Sequence, residues 1–224
     1  MCGRFAYFGN GFFDFDSLHL PAPPPFESYN IAPTQSILAI RSSPETGQAE
    51  YAMLHWGLVS FWSKVAKTPY PLINARAEGI EKKPSFRSPF KHRRCIIPAR
   101  GFFEWSLHNK GSKQPYFIRP IKGGYLALAG IWDHWQGKGG EAIESCSIIT
   151  TGANKLIRGI HDRMPVILRV HDLEAWLDPG MEQKEVLALL APYPDDLMEA
   201  YPVSSMVNSS RNNSPECVAR LNII

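Results

Sequence analysis

The second residue of the chain, Cys2, is the strongest candidate for covalent chemistry. A methionine before a small residue is normally removed after synthesis, which would give Cys2 a free α-amine beside its thiol. An α-amine has a pKa of about 7.7–8.0 and a thiol about 8.5, so both are partly nucleophilic at neutral pH. The amine could act as general base while the thiol attacks an amide. Alternatively, the amine condenses with an aldehyde and the thiol closes on the imine carbon to form a thiazolidine. The third possibility is a small residue present by chance.

A second candidate lies in the segment L-I-N-A-R-A-E, where Asn74 and Arg76 follow an apolar entry. If the segment is extended, the two side chains point to the same face. A carboxamide can orient a nucleophile without titrating, and a guanidinium is suited to a phosphate. The alternative is a loop in which Asn74 caps a turn and Arg76 pairs with a surface acid.

Glu104 is the candidate general acid–base group, because it lies between aromatic residues in the motif G-F-F-E-W. Such neighbours are expected to remove water from the carboxyl group, which raises its pKa and suits it to proton transfer near neutral pH. The alternative is a strand with Glu104 on its solvent face.

His161, in the segment I-H-D-R-M-P-V, is the candidate proton carrier. Histidine titrates near neutrality, although most single histidines have no catalytic role. No other histidine is spaced to form a metal pair with it, so we predict neither a metal nor a cofactor.

Two further segments suit a nucleic-acid partner. Phe61 and Trp62 offer flat rings on which a base could stack. The segment Y-N-I-A-P-T, which contains Asn30, is turn-prone and could present backbone amides. The alternative is that the aromatic residues, Trp56 above all, belong to the core.

Strands are predicted to position these groups, because runs of β-branched or aromatic residues alternate with turn residues. The predicted strands are Ile37–Ile40, Tyr51–Trp56, Cys95–Ile97, Tyr116–Ile118, Tyr125–Ile131, Cys146–Thr150 and Val166–Leu168. Short helices are predicted at Asn154–Ile160, Asp172–Leu177 and Glu182–Leu190. Because strands and helices do not alternate regularly, the predicted class is α+β: a curved, predominantly antiparallel sheet forming an open barrel, with flanking short helices.

Length and composition indicate a single globular domain. At 224 residues the chain fits one domain, so we assign residues 1–224 to it, with a polar tail from about residue 208 to 224 packed on its surface. No apolar run approaches the roughly 18 residues of a membrane span. No basic segment leads into an apolar core at the start, so we predict a cytoplasmic protein without a secretory signal. The four cysteines lack C-x-x-C spacing, which argues against a zinc site or a disulfide framework.

Charge is unevenly distributed along the chain. Residues 82–103 contain seven Lys or Arg and no acid, whereas residues 172–199 contain eight acids and one base. This split is typical of a protein with a polyanionic partner on one side. A solvated basic face without a partner would look the same.

Six motifs in order make the chain resemble the SOS-response-associated peptidase family, whose members process abasic sites in DNA. They are M-C-G-R-F, Y-N-I-A-P-T, W-G-L-V, I-N-A-R-A-E, G-F-F-E-W and H-D-R-M-P-V-I-L, followed by weaker V-S, V-N and N-x-S-P elements. The resemblance covers essentially the whole chain. It implies a mixed fold with an open barrel and a basic groove.

The resemblance also implies an activity: self-removal of Met1 and covalent capture of abasic sites in single-stranded DNA, with weak lyase activity alongside. Cys2 would form the thiazolidine, Asn74 would orient it or the opened sugar, Glu104 would assist ring-opening, and His161 would assist formation and reversal of the Schiff base. The DNA-contacting residues would be Arg4, Asn30, Phe61, Trp62, Arg76, Thr150 and Arg163. Without further evidence we expect a monomer that associates with the nucleoid when it acts on DNA.

Two positions depart from the family pattern. Phe61 stands where many members have a tryptophan, which would weaken stacking without removing it. Phe103 stands where tyrosine is common, which removes a hydroxyl but leaves the neighbouring carboxylate.

Three alternative functions remain at this level. A class II glutamine amidotransferase also begins M-C-G, but the N-G-x and R-H-R-G-type elements that it needs are not credibly placed here. A non-covalent single-stranded DNA-binding module would use the same basic and aromatic residues. A protease acting on other proteins is suggested by the family name, although no groove for a substrate peptide is evident.

Overall fold

Strands dominate the regular structure in residues 2–9, 16–66, 70–107 and 113–221, which is the part of the chain that the computed structural model describes. The strands are β1 (Phe5–Tyr7), β2 (Ser28–Ile31), β3 (Ser36–Ser42), β4 (Ala49–Trp56), β5 (Asn74–Arg76), β6 (Arg94–Ala99), β7 (Gly101–Leu107), β8 (Lys113–Pro120), β9 (Leu126–Gln136), β10 (Ala142–Gly152), β11 (Arg163–Pro165), β12 (Ile167–Leu168) and β13 (Met198–Pro202). All seven runs predicted as strands lie in these elements or overlap them.

The helices of the described residues are short. They are α1 (Arg87–His92), α2 (Lys155–Arg158), α3 (Leu173–Leu177) and α4 (Gln183–Ala188), with 3₁₀ turns at Asp16–Leu18, Val170–Asp172, Asp195–Leu197, Ser205–Asn208 and Pro215–Cys217. Asn154 caps α2, because its Oδ1 accepts a hydrogen bond from the amide of Ile157 at 3.0 Å. The three predicted helices are present in shortened form, whereas α1 was not predicted.

The described strands form two sheets. One has five strands in the order β13-β8-β7-β1-β2, and the other has eight, ordered β11-β10-β4-β3-β6-β9-β12 with β5 beside β10. Strand β10 also pairs with β9, so the strands β9, β6, β3, β4 and β10 form a ring. Most pairings are antiparallel; β10 pairs in parallel with β4 and β5. The predicted mixed fold, mainly antiparallel with short flanking helices, is confirmed.

Strand β9 has the longest run of buried residues in the larger sheet, since eight successive residues from Leu126 are buried. Its continuous apolar run fits a strand that is covered on both faces. Gly130 is required at its centre: a Cβ there would lie 2.8 Å from Cδ1 of Ile97 and 2.9 Å from Sγ of Cys95. Only glycine lets β6 and β9 approach this closely.

A small second cluster of buried side chains attaches the carboxy-terminal part of the chain to the five-stranded sheet. It contains Ala6 of β1, Phe103 of β7 and Phe117 of β8. The other members come from the carboxy-terminal part of the chain: Tyr201, Val203, Val207 and Cys217. Asn213 adds a polar contact, because its Oδ1 accepts hydrogen bonds from Oγ of Ser28 and the amide of Tyr29. Among the described residues of the tail, Asn213 and Cys217 therefore contact the rest of the chain, while the packing of the tail as a whole stays a prediction.

No helix of the described residues is long and apolar enough to cross a membrane. The assignment of residues 1–224 to a single domain stays a prediction, and Met1 lies outside the described residues.

Candidate functional site

The pairing of β1 with β7 brings the amino-terminal residues to Glu104. Phe5 lies opposite Phe102 in this antiparallel pair, and the amide of Phe103 donates to the carbonyl oxygen of Arg4 at 2.9 Å. Continuing the same register toward the amino terminus carries residues 2 and 3 past Glu104. Two segments about 100 residues apart in sequence thus meet at one end of the five-stranded sheet.

Cys2 is fully buried and held by its neighbours. Nδ2 of Asn74 donates to the carbonyl oxygen of Cys2 at 2.9 Å, and the thiol makes a weak 3.9 Å hydrogen bond to the carbonyl oxygen of Arg4. Burial and, after it, the negative charge of Glu104 raise the pKa of the Cys2 thiol well above its ordinary value. The thiol is therefore protonated at neutral pH and lies within electrostatic reach of the Glu104 carboxylate.

Glu104 is 2% exposed, between the fully buried Phe103 and the partly buried Trp105. Burial raises the pKa of its carboxyl group from an ordinary 4.5 to about 7. The raised pKa expected from the aromatic neighbours is confirmed, and the alternative of a solvent-facing glutamate is wrong. A carboxyl group with this pKa can both give and take a proton near neutral pH.

His161 lies between α2 and β11, and its side chain is 28% exposed. The amide of Arg163 donates to Nδ1 at 3.0 Å, which places the proton of the neutral ring on Nε2. Burial lowers the pKa of His161, so the neutral form predominates at neutral pH. Protonation at Nδ1 would instead place an N–H 2.9 Å from Oδ1 of Asp162.

An open cleft of about 560 Å³ joins these groups. Its lining residues are Gly3, Arg4, Pro33, Glu104, Trp105, Lys113, His161 and Asn208. Two of the four predicted catalytic residues, Glu104 and His161, therefore face one cavity. The other two lie next to it, because Cys2 precedes the lining residue Gly3 and Asn74 bonds to Cys2.

Strand β10 positions the segments that carry Asn74 and Arg163. Asn74 of β5 lies opposite Ile148 in the parallel pairing of β5 with β10. Arg163 of β11 lies opposite Gly152 in the antiparallel pairing of β11 with β10. Thr150, between the two pairing sites, is fully buried. Its carbonyl oxygen accepts a hydrogen bond from Nη2 of Arg163 at 2.6 Å, so Thr150 contacts the predicted phosphate-binding arginine rather than solvent.

Arg163 is paired with an acid within the protein. Its Nη1 and Nη2 donate to the two carboxylate oxygens of Glu78 at 2.7 and 2.9 Å, a bidentate arrangement. The carboxylate is 60% exposed, whereas the Arg163 side chain is mostly buried. A DNA phosphate at this point would have to share Arg163 with Glu78 or displace it.

Arg4 and Asn30 hold the carboxy-terminal segment. Nη1 of Arg4 donates to Oδ1 of Asn30 at 2.8 Å and to the carbonyl oxygen of Val207 at 2.6 Å. The buried Asn30 amide donates to the carbonyl oxygens of Val207, Ser209 and Asn212. The predicted DNA-contacting side chains at these two positions are thus engaged by the protein itself, although Arg4 also lines the cleft.

Arg76, Phe61 and Trp62 are the predicted contact residues that face solvent. Arg76 is exposed at the end of β5, and the side chains of Phe61 and Trp62 are 55% and 53% exposed. Trp56, by contrast, is fully buried, as the core interpretation predicted. Its Nε1 donates to the carbonyl oxygen of Ile73 at 2.9 Å, so Trp56 supports the strand that carries Asn74.

Several cleft residues were not predicted from the sequence. Lys113 adds a positive charge, and Nε1 of Trp105 donates to Oδ1 of Asn208 at 2.7 Å, which closes one wall of the cleft. Asn208 lies in the V-N element, and this motif could have indicated it as a site residue from the sequence. Lys113 carried no local signal because its relevance depends on strand pairing.

The remaining cysteines, Cys95, Cys146 and Cys217, are fully buried and unpaired by disulfides. The predicted core location of Cys95 and Cys146 is confirmed. Within residues 2–9, 16–66, 70–107 and 113–221, no three or more His, Cys, Asp or Glu side chains lie together as metal ligands would.

Comparison with known proteins gives consistent matches along the chain. A model of the family described as SOS response associated peptidase (SRAP) matches residues 1–210. The Abasic site processing protein YoqW of Bacillus subtilis (strain 168) is 42% identical over 227 residues, covering 97% of this chain and 99% of its own. The Abasic site processing protein HMCES of Mus musculus is 34% identical, covering 88% of this chain and 66% of its own.

Solved structures agree with these matches. A crystal structure of a protein from Bacteroides thetaiotaomicron aligns with a TM-score of 0.80 at 32% identity, over 95% of this chain and 93% of the other. A second, from Bordetella bronchiseptica, aligns with a TM-score of 0.74 at 25% identity. Since the family model spans nearly the whole chain and relatives more than 40% identical cover its length, the chain belongs to the SOS response associated peptidase (SRAP) family.

Proposed function

We propose that this protein captures abasic sites in single-stranded DNA as a covalent thiazolidine through Cys2, after Met1 has been removed. The observation that carries the proposal is the convergence of Cys2, Asn74 and Glu104. The Cys2 carbonyl is fixed by the Asn74 amide at 2.9 Å, and the pKa of the nearby Glu104 carboxyl is about 7. The similarity to YoqW and HMCES, both named abasic site processing proteins, supports the substrate class.

Glu104 would open the sugar. An abasic deoxyribose is a cyclic hemiacetal in equilibrium with a ring-opened aldehyde, and only the aldehyde is electrophilic enough for capture by an amine. Opening requires loss of a proton from the C1′ hydroxyl and gain of a proton at the ring oxygen. A carboxyl group with a pKa near 7 exchanges protons in both directions at physiological pH.

The Cys2 amine would attack first. Because burial keeps the thiol protonated, the thiol is a poor initial nucleophile. The amine nitrogen bonds to C1′ and one of its protons passes to the aldehyde oxygen, which becomes a hydroxyl. His161 then takes the second proton from this nitrogen, and the resulting imidazolium protonates the hydroxyl, which departs as water. The thiol sulfur then bonds to the imine carbon while its proton passes to the imine nitrogen. Overall one water is released and a five-membered thiazolidine forms.

Asn74 would orient the reacting groups. Its Nδ2 holds the Cys2 carbonyl, and its buried Oδ1 has no hydrogen-bond partner among the described residues. A buried acceptor left without a donor is costly, so this oxygen is suited to receive the Cys2 amine or a hydroxyl of the opened sugar.

A weak lyase activity would accompany capture. The imine intermediate acidifies the C2′ proton, and loss of that proton expels the 3′ phosphate by β-elimination. Ring closure by the Cys2 thiol removes the imine and competes with this cleavage. The peptidase activity implied by the family name would be confined to the protein's own Met1.

Recognition of the DNA would rest on charge and stacking, because an abasic nucleotide offers no base to read. Arg76, Phe61 and Trp62 are exposed in the way that such contacts require. Binding would be indifferent to sequence and sensitive to salt. Single-stranded DNA is favoured, since a continuous duplex would enclose the lesion.

The test is incubation of the purified protein with a single-stranded oligonucleotide that carries one abasic site, followed by a denaturing gel. Mass spectrometry first establishes that Met1 is absent. We expect a shifted band with the abasic oligonucleotide and none with a tetrahydrofuran lesion, which has no aldehyde. Cys2→Ala should abolish the band, whereas Cys95→Ala, which removes a buried thiol on β6 that does not line the cleft, should retain it.

A band that persists in Cys2→Ala would contradict the proposal. A wild-type protein without Met1 that gives no band would also contradict it. In that case reversible binding alone would indicate a DNA-binding module, and release of ammonia from glutamine would indicate an amidotransferase.

A further inference from the structure

The exposed aromatic side chains lie on a loop that is firmly attached to the sheet behind it. This aromatic loop, residues 58–66, follows β4 and contains no helix or strand of its own beyond a bridge between Leu58 and Leu72. Phe61, Trp62 and Val65 are all more than half exposed. Adjacent exposed rings are unusual on a soluble surface and mark a contact site.

Two strands hold the backbone of the aromatic loop. The amide of Val59 donates to Oγ of Ser145 at 2.8 Å, and the amide of Phe61 donates to Oδ2 of Asp133 at 2.9 Å. Ser145 and Asp133 lie directly opposite each other in the antiparallel pair of β10 and β9. The two acceptors are therefore fixed relative to each other by the sheet.

A third anchor completes the attachment. Nε1 of the buried Trp135 donates to the carbonyl oxygen of Ser63 at 2.8 Å. Anchors at residues 59, 61 and 63 face the sheet, while the side chains of Phe61 and Trp62 face solvent. The loop is therefore held through its backbone rather than through the rings that it presents.

Asp133 is the charged member of this set and is 1% exposed. A buried carboxylate requires compensation, which Asp133 receives from Nη2 of Arg93 at 2.9 Å and from its contacts with the amides of Phe61 and His134. Arg93 follows the last residue of α1, in the basic segment of the chain. Asp133 thus connects the basic segment to the aromatic loop.

We propose that Asp133 is a positioning residue that presents Phe61 and Trp62 as a preformed platform for stacking on DNA bases. The inference rests on the proposed function, because it requires the rings to contact DNA. Its physical basis is preorganisation: a loop that is already ordered loses less conformational entropy when it binds. Asp133 was not among the predicted site residues, and it does not line the cleft beside Cys2 and Glu104.

Asp133→Asn removes the negative charge and keeps the size of the side chain. An asparagine of the same size has one accepting oxygen, and its amide nitrogen would face either Arg93 or the amide of Phe61, donor against donor. Either the Phe61 amide of the aromatic loop loses its acceptor, or Arg93 loses its negatively charged partner. We expect affinity for a single-stranded tetrahydrofuran oligonucleotide to fall about tenfold, within the range of a lost hydrogen bond to a charged group.

Two measurements distinguish positioning from general damage. Hydrogen exchange should show the Phe61 amide protected in the wild type and unprotected in Asp133→Asn. In a double-mutant cycle with the paired change Phe61→Ala and Trp62→Ala, adding Asp133→Asn should weaken binding no further, because Asp133 acts through these two rings. Glu144→Gln, which breaks a partly exposed ion pair with Arg41 on the same sheet, should leave binding unchanged.

The outcomes are distinct. Full additivity of Asp133→Asn with the paired change Phe61→Ala and Trp62→Ala, or unchanged binding in Asp133→Asn, would overturn the positioning role while leaving covalent capture intact. Unchanged binding in Trp62→Ala would overturn the stacking platform itself. Failure of the wild type to form an adduct would count against the proposed function instead. If Asp133→Asn does not fold, Trp135→Phe, which removes the donor to Ser63 and keeps a smaller aromatic ring at the buried position, is expected to show the same non-additive loss, and an additive loss would overturn the inference.

Discussion

The cleft and the aromatic loop differ most in their access to water. Cys2 and Glu104 are 0% and 2% exposed, whereas Phe61 and Trp62 are more than half exposed. Removal of water raises the pKa of both reactive groups of the cleft, which controls when they gain or lose protons. The loop needs the opposite condition, because a ring can stack on a base only if it reaches solvent. The proposed function thus assigns reaction and recognition to regions of opposite hydration.

The predicted phosphate-binding arginines divide along the same line. Arg4 and Arg163 are engaged by protein carbonyl groups and by Glu78, while Arg76 is exposed at the end of β5. Residue type alone does not distinguish them. The difference lies in what the fold places beside each guanidinium.

Glu104→Gln tests the buried cleft and should have the largest effect of the substitutions considered. The amide cannot exchange protons, so the rate of adduct formation should fall by about 10²–10⁴-fold. Single-turnover gels with abasic DNA measure the rate, and Glu45→Gln, which alters an exposed glutamate, is the control. A loss of less than tenfold would mean that Glu104 is not the acid–base group.

The same variant should change how stability depends on pH. The pKa of Glu104 is about 7 in the folded protein and near 4.5 when exposed, so the folded state binds the extra proton between these values. This stabilisation is fully present below pH 4.5 and is lost as pH rises through 7, an effect of up to about 3 kcal/mol. In urea titrations, wild type minus Glu104→Gln should therefore lose unfolding free energy from pH 5 to pH 8; a constant difference would refute the shift.

The two kinds of arginine are separated by Arg76→Gln and Arg4→Gln. Arg76→Gln should weaken DNA binding and reduce the slope of log affinity against log salt by about 0.7, with an unchanged Tm. Arg4→Gln removes hydrogen bonds to Asn30 and Val207, so it should lower the free energy of unfolding by about 1–3 kcal/mol. Fluorescence anisotropy at several salt concentrations and thermal melts provide both readouts. A stable Arg4→Gln protein with a reduced salt slope would place Arg4 with the DNA-contacting arginines.

Glu78→Gln should have the smallest effect. It removes an exposed negative charge beside Arg163, which stays attached to the carbonyl oxygen of Thr150. Affinity for single-stranded DNA should rise about two- to threefold at low salt and return to the wild-type value at high salt. Glu50→Gln, which breaks an ion pair with Arg41 elsewhere, is the control. Weaker binding in Glu78→Gln would show that Glu78 aims Arg163 at the DNA.

Most long strands were predicted from the sequence and the three-residue strands were not, although the seven-residue β7 was missed and the two-residue β12 lies within a predicted run. Strands β4, β9 and β10 contain long apolar or β-branched runs that indicate a strand without reference to other segments. Strands such as β1 and β5 have three residues each and exist only because distant strands pair with them. Helix α1 escaped prediction because its six residues include Pro89 and lack a side-chain cap.

The sequence by itself determined which chemical groups are available: a thiol at Cys2, a carboxyl at Glu104, an imidazole at His161 and two adjacent rings at residues 61 and 62. These are properties of residue type and local motif, and they carried the family resemblance. Tertiary structure alone decided the burial of Cys2, the engagement of Arg4 by the carboxy-terminal segment and the contact between Asp133 and the aromatic loop. Burial and pairing are set by segments tens to hundreds of residues away, and local sequence carries no record of those neighbours.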